Sequence, residues 1–172
     1  MTDNKKCNEN ILVFIRKHEG MNQATIGYAK SLFKGAGIVT ISEYKNVDVY
    51  IELKEKVINC DDNYDLIKTI LCSSHEIIVR DRVLRNLPYN EALNLIYRSL
   101  NALLDIFLQY NPKSLVTYPV DNYVSDIMVR LARLKKVEVH GFCNFFAPNL
   151  KRITVYGEFN RVRDVADDEV TK

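Results

Sequence analysis

The sequence lacks the features that would assign a reaction outright. It has no CxxC pair: Cys7, Cys60, Cys72 and Cys143 are scattered, so zinc spacing is absent. A disulfide framework is a poor account of 172 residues, and the thiols are read as reduced core or surface fillers. No apolar run approaches the roughly 20 residues of a membrane span. Residues 1–10 are polar and lack the apolar stretch of a signal peptide. A cytoplasmic protein is therefore expected. The net charge is only +2, with a pI near 8.3, too mild to imply nucleic acid or an anionic membrane on charge alone.

Motif absences narrow the chemistry further. There is no GxGxxG, which argues against a typical NAD or FAD site. Gly35-Ala36-Gly37 follows a helical pattern instead of preceding one, so it is not a phosphate loop. GxSxG and HExxH are missing too. No cofactor and no metal are expected.

What is present is alternation. Hydrophobic residues make up 47% of the chain and charged ones 27%, ordinary values that exclude disorder for the bulk of it. Residues 11–15 (ILVFI) form a continuous apolar run, as in a strand buried on both faces. Asn22 is expected to cap a helix through Leu32 and Phe33, ended by Gly35 and Gly37. Residues 38–41 read as a second strand. Residues 47–53 alternate, and predict a strand at the sheet edge or in a hairpin. Asp62 or Asn63 can cap a short helix over 64–71, and residues 76–79 (EIIV) read as a short strand.

Pro88 and Asn90 open the longest helix, over 91–110, with Leu93, Ile96, Leu100, Leu103, Leu104 and Phe107 on its buried stripe. Asn111-Pro112 stops it. Residues 114–118 form the next strand. Asp121 is placed to cap the helix that follows, which buries Val124, Ile127, Met128, Leu131 and Leu134. Strands at 137–140 and 152–156 complete the pattern.

Alternating strands and helices predict an α/β, Rossmann-like fold: a mostly parallel sheet with helices on both faces. The expected organisation is a flexible lead-in over 1–10, one domain over 11–160, and a charged tail over 161–172.

In such sheets ligands bind beyond the carboxyl ends of the strands, where strand order reverses. Three segments fall at that edge. Tyr118-Pro119-Val120-Asp121-Asn122-Tyr123 follows a central strand. Asp121 there is first a helix cap, and can also accept a sugar hydroxyl. Arg80, Arg82 and Arg85 follow the 76–79 segment and suit a phosphate or carboxylate; a structural ion-pair cluster around Asp81 is the competing account. His140 follows another strand and is a candidate general base, although a lone histidine is more often structural. His18, in Arg16-Lys17-His18-Glu19-Gly20, stands at an equivalent edge and could line an acceptor pocket.

Taken together, several segments resemble a known family. The order is Arg80-Asp81-Arg82-x-x-Arg85, a long helix, Tyr118-Pro119-Val120-Asp121, and an amphipathic helix ending in Leu131-Ala132-Arg133. A short strand follows, then Arg152-Ile153-Thr154 and Gly157-Glu158-Phe159. Over roughly residues 76–170 this resembles the N-terminal region of bacterial capsule and surface-polysaccharide biosynthesis proteins related to GT-B glycosyltransferases. The resemblance implies the acceptor-side domain of a glycosyltransferase, incomplete without a second domain. Its ligand would be a sugar acceptor or nucleotide-sugar. A second domain or subunit would be its partner, and its place the cytoplasm or the inner face of the membrane. Arginines would hold a phosphate, Asp121 a hydroxyl, and His140 would move the proton. The alternative is a non-catalytic Rossmann-like module for a small ligand or a subunit. A third reading is a small flavodoxin-like hydrolase in which Asp81 and Asp121 converge on one pocket.

Overall fold

The computed structural model describes residues 9–17, 19–53, 64–118, 120–144 and 151–154. His18, Pro119, Asp62, Asn63, Cys7, Cys60, Gly157 and Glu158 lie outside the described residues. The first strand, β1 (Asn10–Phe14), takes in the first four residues of the ILVFI run, with Ile11, Leu12, Val13 and Phe14 all buried. Each such side chain contributes roughly 1.5–3 kcal/mol by leaving water, which is why the run takes the sheet's centre. Around it are β2 (Gly37–Ser42), β3 (Val49–Tyr50), β4 (Ser114–Thr117), β5 (Glu138–Asn144) and β6 (Lys151–Thr154), in the order β3-β2-β1-β4-β5-β6. The first five run parallel and β6 runs antiparallel to β5. The fold is α/β and Rossmann-like.

Side chains alternate across this sheet. Ile11, Val13 and Val116 face helix α1 (Glu19–Leu32), packing with Ala29 and Phe33. Leu12, Phe14 and Leu115 face the larger cluster under α4 (Tyr89–Tyr110) and α5 (Tyr123–Leu134). Helices α2 (Tyr64–Cys72) and α3 (Ser74–Arg80) join that second layer through Ile67, Ile70, Ile77 and Ile78. Helices therefore cover both faces, as the alternation predicts.

Several local expectations are corrected. Residues 76–79 are helix, not strand. Ser74, Ile77 and Ile78 are buried while Val79 is 56% exposed, the i, i+3, i+4 spacing of a helix face. A short apolar run does not by itself separate the two. Residues 47–53 give only the two-residue edge strand β3, parallel to β2, so there is no hairpin. Helix α1 starts at Glu19, so Asn22 lies inside it and does not cap it. Gly35 has φ +84°, the left-handed geometry expected past a helix end, whereas Gly37 begins β2. Asn111 closes α4 at φ 40°.

The cap of α5 is Asn122, not Asp121. Asn122 Oδ1 accepts the Ser125 backbone N–H at 2.8 Å, and Ser125 Oγ accepts that of Asn122 at 3.4 Å. Asn122 is as good a cap as aspartate, and the Ser125 hydroxyl three residues on completes the reciprocal pair. Leu134, expected in the core, is 43% exposed at the last turn of α5.

Candidate functional site

Chain order reverses between β1 and β4: β1 leads outward to β2 and β3, and β4 leads the other way to β5. The loops leaving these strands meet at their carboxyl ends. Arg16 follows β1, Glu43 follows β2, and Asp121 and Asn122 follow β4. Arg16 Nη1 forms an ion pair with Asp121 Oδ2. Asn22 holds the Arg16 backbone at both ends: its Oδ1 accepts the Arg16 N–H at 2.8 Å and its Nδ2 donates to the Arg16 carbonyl. Asn122 Nδ2 donates to Glu43 Oε2 at 2.9 Å, so one side chain caps α5 and anchors the β2 loop.

Glu43 is the electrostatic outlier. Burial pushes its carboxyl up from the ordinary range; the Asn122 hydrogen bond and Arg16 oppose this, while Asp81 and Asp121 add to it. Tyr123 follows the same logic: burial first, then Glu43, raise its phenol. Asp81 closes the far side. Its Oδ1 accepts the backbone N–H groups of Val83 and Leu84, each at 2.8 Å, and its Oδ2 accepts that of Tyr123 at 2.8 Å. A short 3-10 turn, Leu84–Asn86, starts on that corner.

Arg80, Asp81, Asp121, Asn122 and Tyr123 line a depression of about 50 Å³. Ligand pockets for whole small molecules run to about 300–1,000 Å³, so this one admits a hydroxyl-sized group and not a nucleotide. At the end of β4, the Tyr118 hydroxyl donates to the Met21 carbonyl at 3.0 Å and ties that strand to α1.

The expected site residues divide. Asp121, Asn122 and Arg80 line the depression, and Arg80 also pairs with Glu76 at 3.3 Å. Tyr118 is buried, does not line the depression and turns its hydroxyl to α1. Arg82 and Arg85 are exposed on the corner after α3 and do not line it. His140 is not part of it either. It sits in mid-strand opposite Val116, with β5 running on to Asn144. Its ring packs edge-on against Phe33 at 5.2 Å, and Nε2 lies 3.3 Å from Glu138 Oε1 without hydrogen-bonding geometry. The histidine therefore belongs to the packing under α1.

Asp81 and Asp121 do share the depression, yet three backbone N–H groups engage both oxygens of Asp81. That makes Asp81 a staple and removes it as the second acid of a hydrolase. Glu43 and Tyr123 escaped the sequence reading: neither stands in a motif, and the contact between Glu43 and Asn122 spans 79 positions. Among the described residues no group of three or more His, Cys, Asp or Glu side chains is placed to hold a metal ion. Comparison with protein families, curated proteins and solved structures finds no match to the chain.

Proposed function

We propose that the chain is a ligand-binding Rossmann-like half-site, used as the acceptor-side domain of a surface-polysaccharide glycosyltransferase-like protein. The observation that carries this is the meeting of Arg16, Glu43 and the Asp121-Asn122 pair, from three strand exits, at the switch point of the sheet. Asp121 is half-exposed and gives one oxygen to Arg16, so its other oxygen can accept a hydroxyl. The small depression beside it suits one edge of a sugar ring; a facing domain would enclose the rest. Within this reading Asp121 orients the acceptor, Arg16 fixes Asp121, and Asn122 holds the Glu43 loop in place.

A titration followed by nuclear magnetic resonance, with glycan fragments and nucleotide-sugars, tests the proposal. Glycan fragments should shift signals from residues around Asp121, and Asp121→Ala should weaken binding about tenfold, the loss expected for a hydrogen bond to a charged group. Unchanged binding in Asp121→Ala and Arg16→Ala would sink it.

A second reading, a binding module without turnover, is favoured by the position of His140 in the packing under α1, away from the depression. It predicts the same ligand footprint with no product on prolonged incubation with donor, acceptor and any candidate second domain.

A further inference from the structure

Two exposed tyrosines stand beside the crevice. Tyr44 directly follows Glu43 at the exit of β2 and is 47% exposed; Tyr50 ends β3 and is 45% exposed. Tyr64 and Tyr89 are exposed too, but each opens a helix and neither follows a strand. Single exposed aromatics are normal on a protein surface. Tyr44 and Tyr50 differ because one buried residue fixes both. Ser42 Oγ accepts the Tyr44 N–H at 3.1 Å, and the Ser42 carbonyl accepts the Ile51 N–H at 2.8 Å. Ser42 and Tyr50 are register partners, so their side chains share one face of the sheet. It is the face that α1 covers, since Ile38, four residues before Ser42, packs in the α1 cluster. The bond to the Ser42 hydroxyl draws the Tyr44 backbone to that same face. The loop is closed at its other end as well: Asp48 Oδ2 accepts the Thr40 N–H at 2.8 Å and the Thr40 hydroxyl at 2.7 Å. Its geometry is thus set before any ligand arrives, which lowers the entropy cost of binding. Neither tyrosine hydroxyl has a hydrogen-bond partner among the described residues, so the rings do not hold the fold together.

We infer that Tyr44 and Tyr50 form a shelf for a further sugar unit, so that the crevice takes an oligosaccharide and not a single sugar. This rests on the reading of the crevice as a glycan site and deepens it. The depression beside Asp121 holds about 50 Å³, enough for one hydroxyl-sized group, so most of the contact with a glycan must come from outside it. The path is continuous. Asn122 adjoins Asp121 and donates to Glu43 Oε2 at 2.9 Å, and Tyr44 is the chain neighbour of Glu43. A glycan held by one hydroxyl at Asp121 therefore runs past Glu43 onto Tyr44. A pyranose ring has apolar C–H faces edged with hydroxyls. A tyrosine matches it with a flat apolar body and a polar tip.

Calorimetric titration of the full chain tests it, with glucose, galactose and N-acetylglucosamine, each as the single sugar and as a linear tetrasaccharide. A tetrasaccharide should bind more tightly than its own single sugar. Tyr44→Ala should weaken the tetrasaccharide roughly threefold to tenfold, the scale of an aromatic stacking contact, and leave the single sugar unchanged. Tyr50→Ala should show the same pattern, and Tyr44→Phe should bind as the unaltered chain does, because the ring face makes the contact. Circular dichroism checks that each variant folds. Asp121→Ala should weaken both lengths, which separates the two ideas. Loss of binding in Asp121→Ala with full binding in Tyr44→Ala would overturn the shelf and leave the crevice reading standing. An equal loss for both lengths in Tyr44→Ala, or a loss in Tyr44→Phe as large as in Tyr44→Ala, would also overturn the shelf. No binding of any of these sugars, or unchanged binding in Asp121→Ala, would overturn both.

Discussion

Arg16 and Asp121 stand 105 positions apart in the chain, and their ion pair closes the switch point of the sheet. The Asp121 side chain is 53% exposed and that of Arg16 26%, so water screens the pair. A double-mutant cycle with Arg16→Ala and Asp121→Ala, followed by urea unfolding, should return a coupling of about 0.2–1 kcal/mol. A value well above that range would make the pair a structural clamp and would weaken its case as part of a binding site.

The neighbouring residue should behave differently. Asn122→Ala removes the cap of α5 and its anchor on Glu43 together, and should destabilise the fold by about 1–2 kcal/mol. Asp121→Ala alone should cost less, since it caps nothing. The order of the two unfolding midpoints checks which residue starts the helix.

Helix α3 offers a test of backbone geometry. On a strand, Ile77 and Val79 would share a face; on the helix, Ile77 is fully buried and Val79 is exposed. Ile77→Ala should therefore cost about 2–5 kcal/mol, and Val79→Ala less than about 0.5 kcal/mol. Equal losses would contradict the helix.

Glu43 should make stability depend on pH. Burial raises its carboxyl above the ordinary 4.5, so the folded protein holds this proton more tightly than the unfolded chain does. That contribution is fully present below the ordinary value and disappears as pH rises through the higher folded value. Glu43→Gln keeps an acceptor for Asn122 but never ionises. Its melting temperature should exceed that of the unaltered chain at about pH 7, with the gap closing towards about pH 4. A gap that stays constant over this range would rule out ionisation of Glu43 as the cause.

Much of the fold could be read from the sequence because burial leaves a periodic trace. The unbroken ILVFI run marks β1 as central, and the 3.6-residue spacing of Ile96, Leu100, Leu103 and Phe107 marks α4. α3 left no such trace, because seven residues make too short a window to separate helix from strand. The site was legible only in part. Asp121 and Asn122 could be found from the rule that ligands bind where strands end. Glu43 could not, because its neighbours there are set by the strand order, which no local spacing records. Arg82 and Arg85 stand on the exposed corner after α3, outside the depression that Arg80 and Asp81 line, and the sequence offers no spacing that separates the two pairs.

The hydrogen bond from Tyr123 to Asp81 has a consequence for what the crevice can recognise. The first turn of a helix is normally a ready receptor for phosphate, because its N–H groups are free and its dipole favours negative charge. In α5 a buried aspartate already acts as the counter-ion, and Ser125 and Asn122 satisfy each other. The receptor is filled from within. Selectivity at this edge then rests on side chains that match hydroxyls, and phosphate or sulfate in the buffer should compete poorly for it.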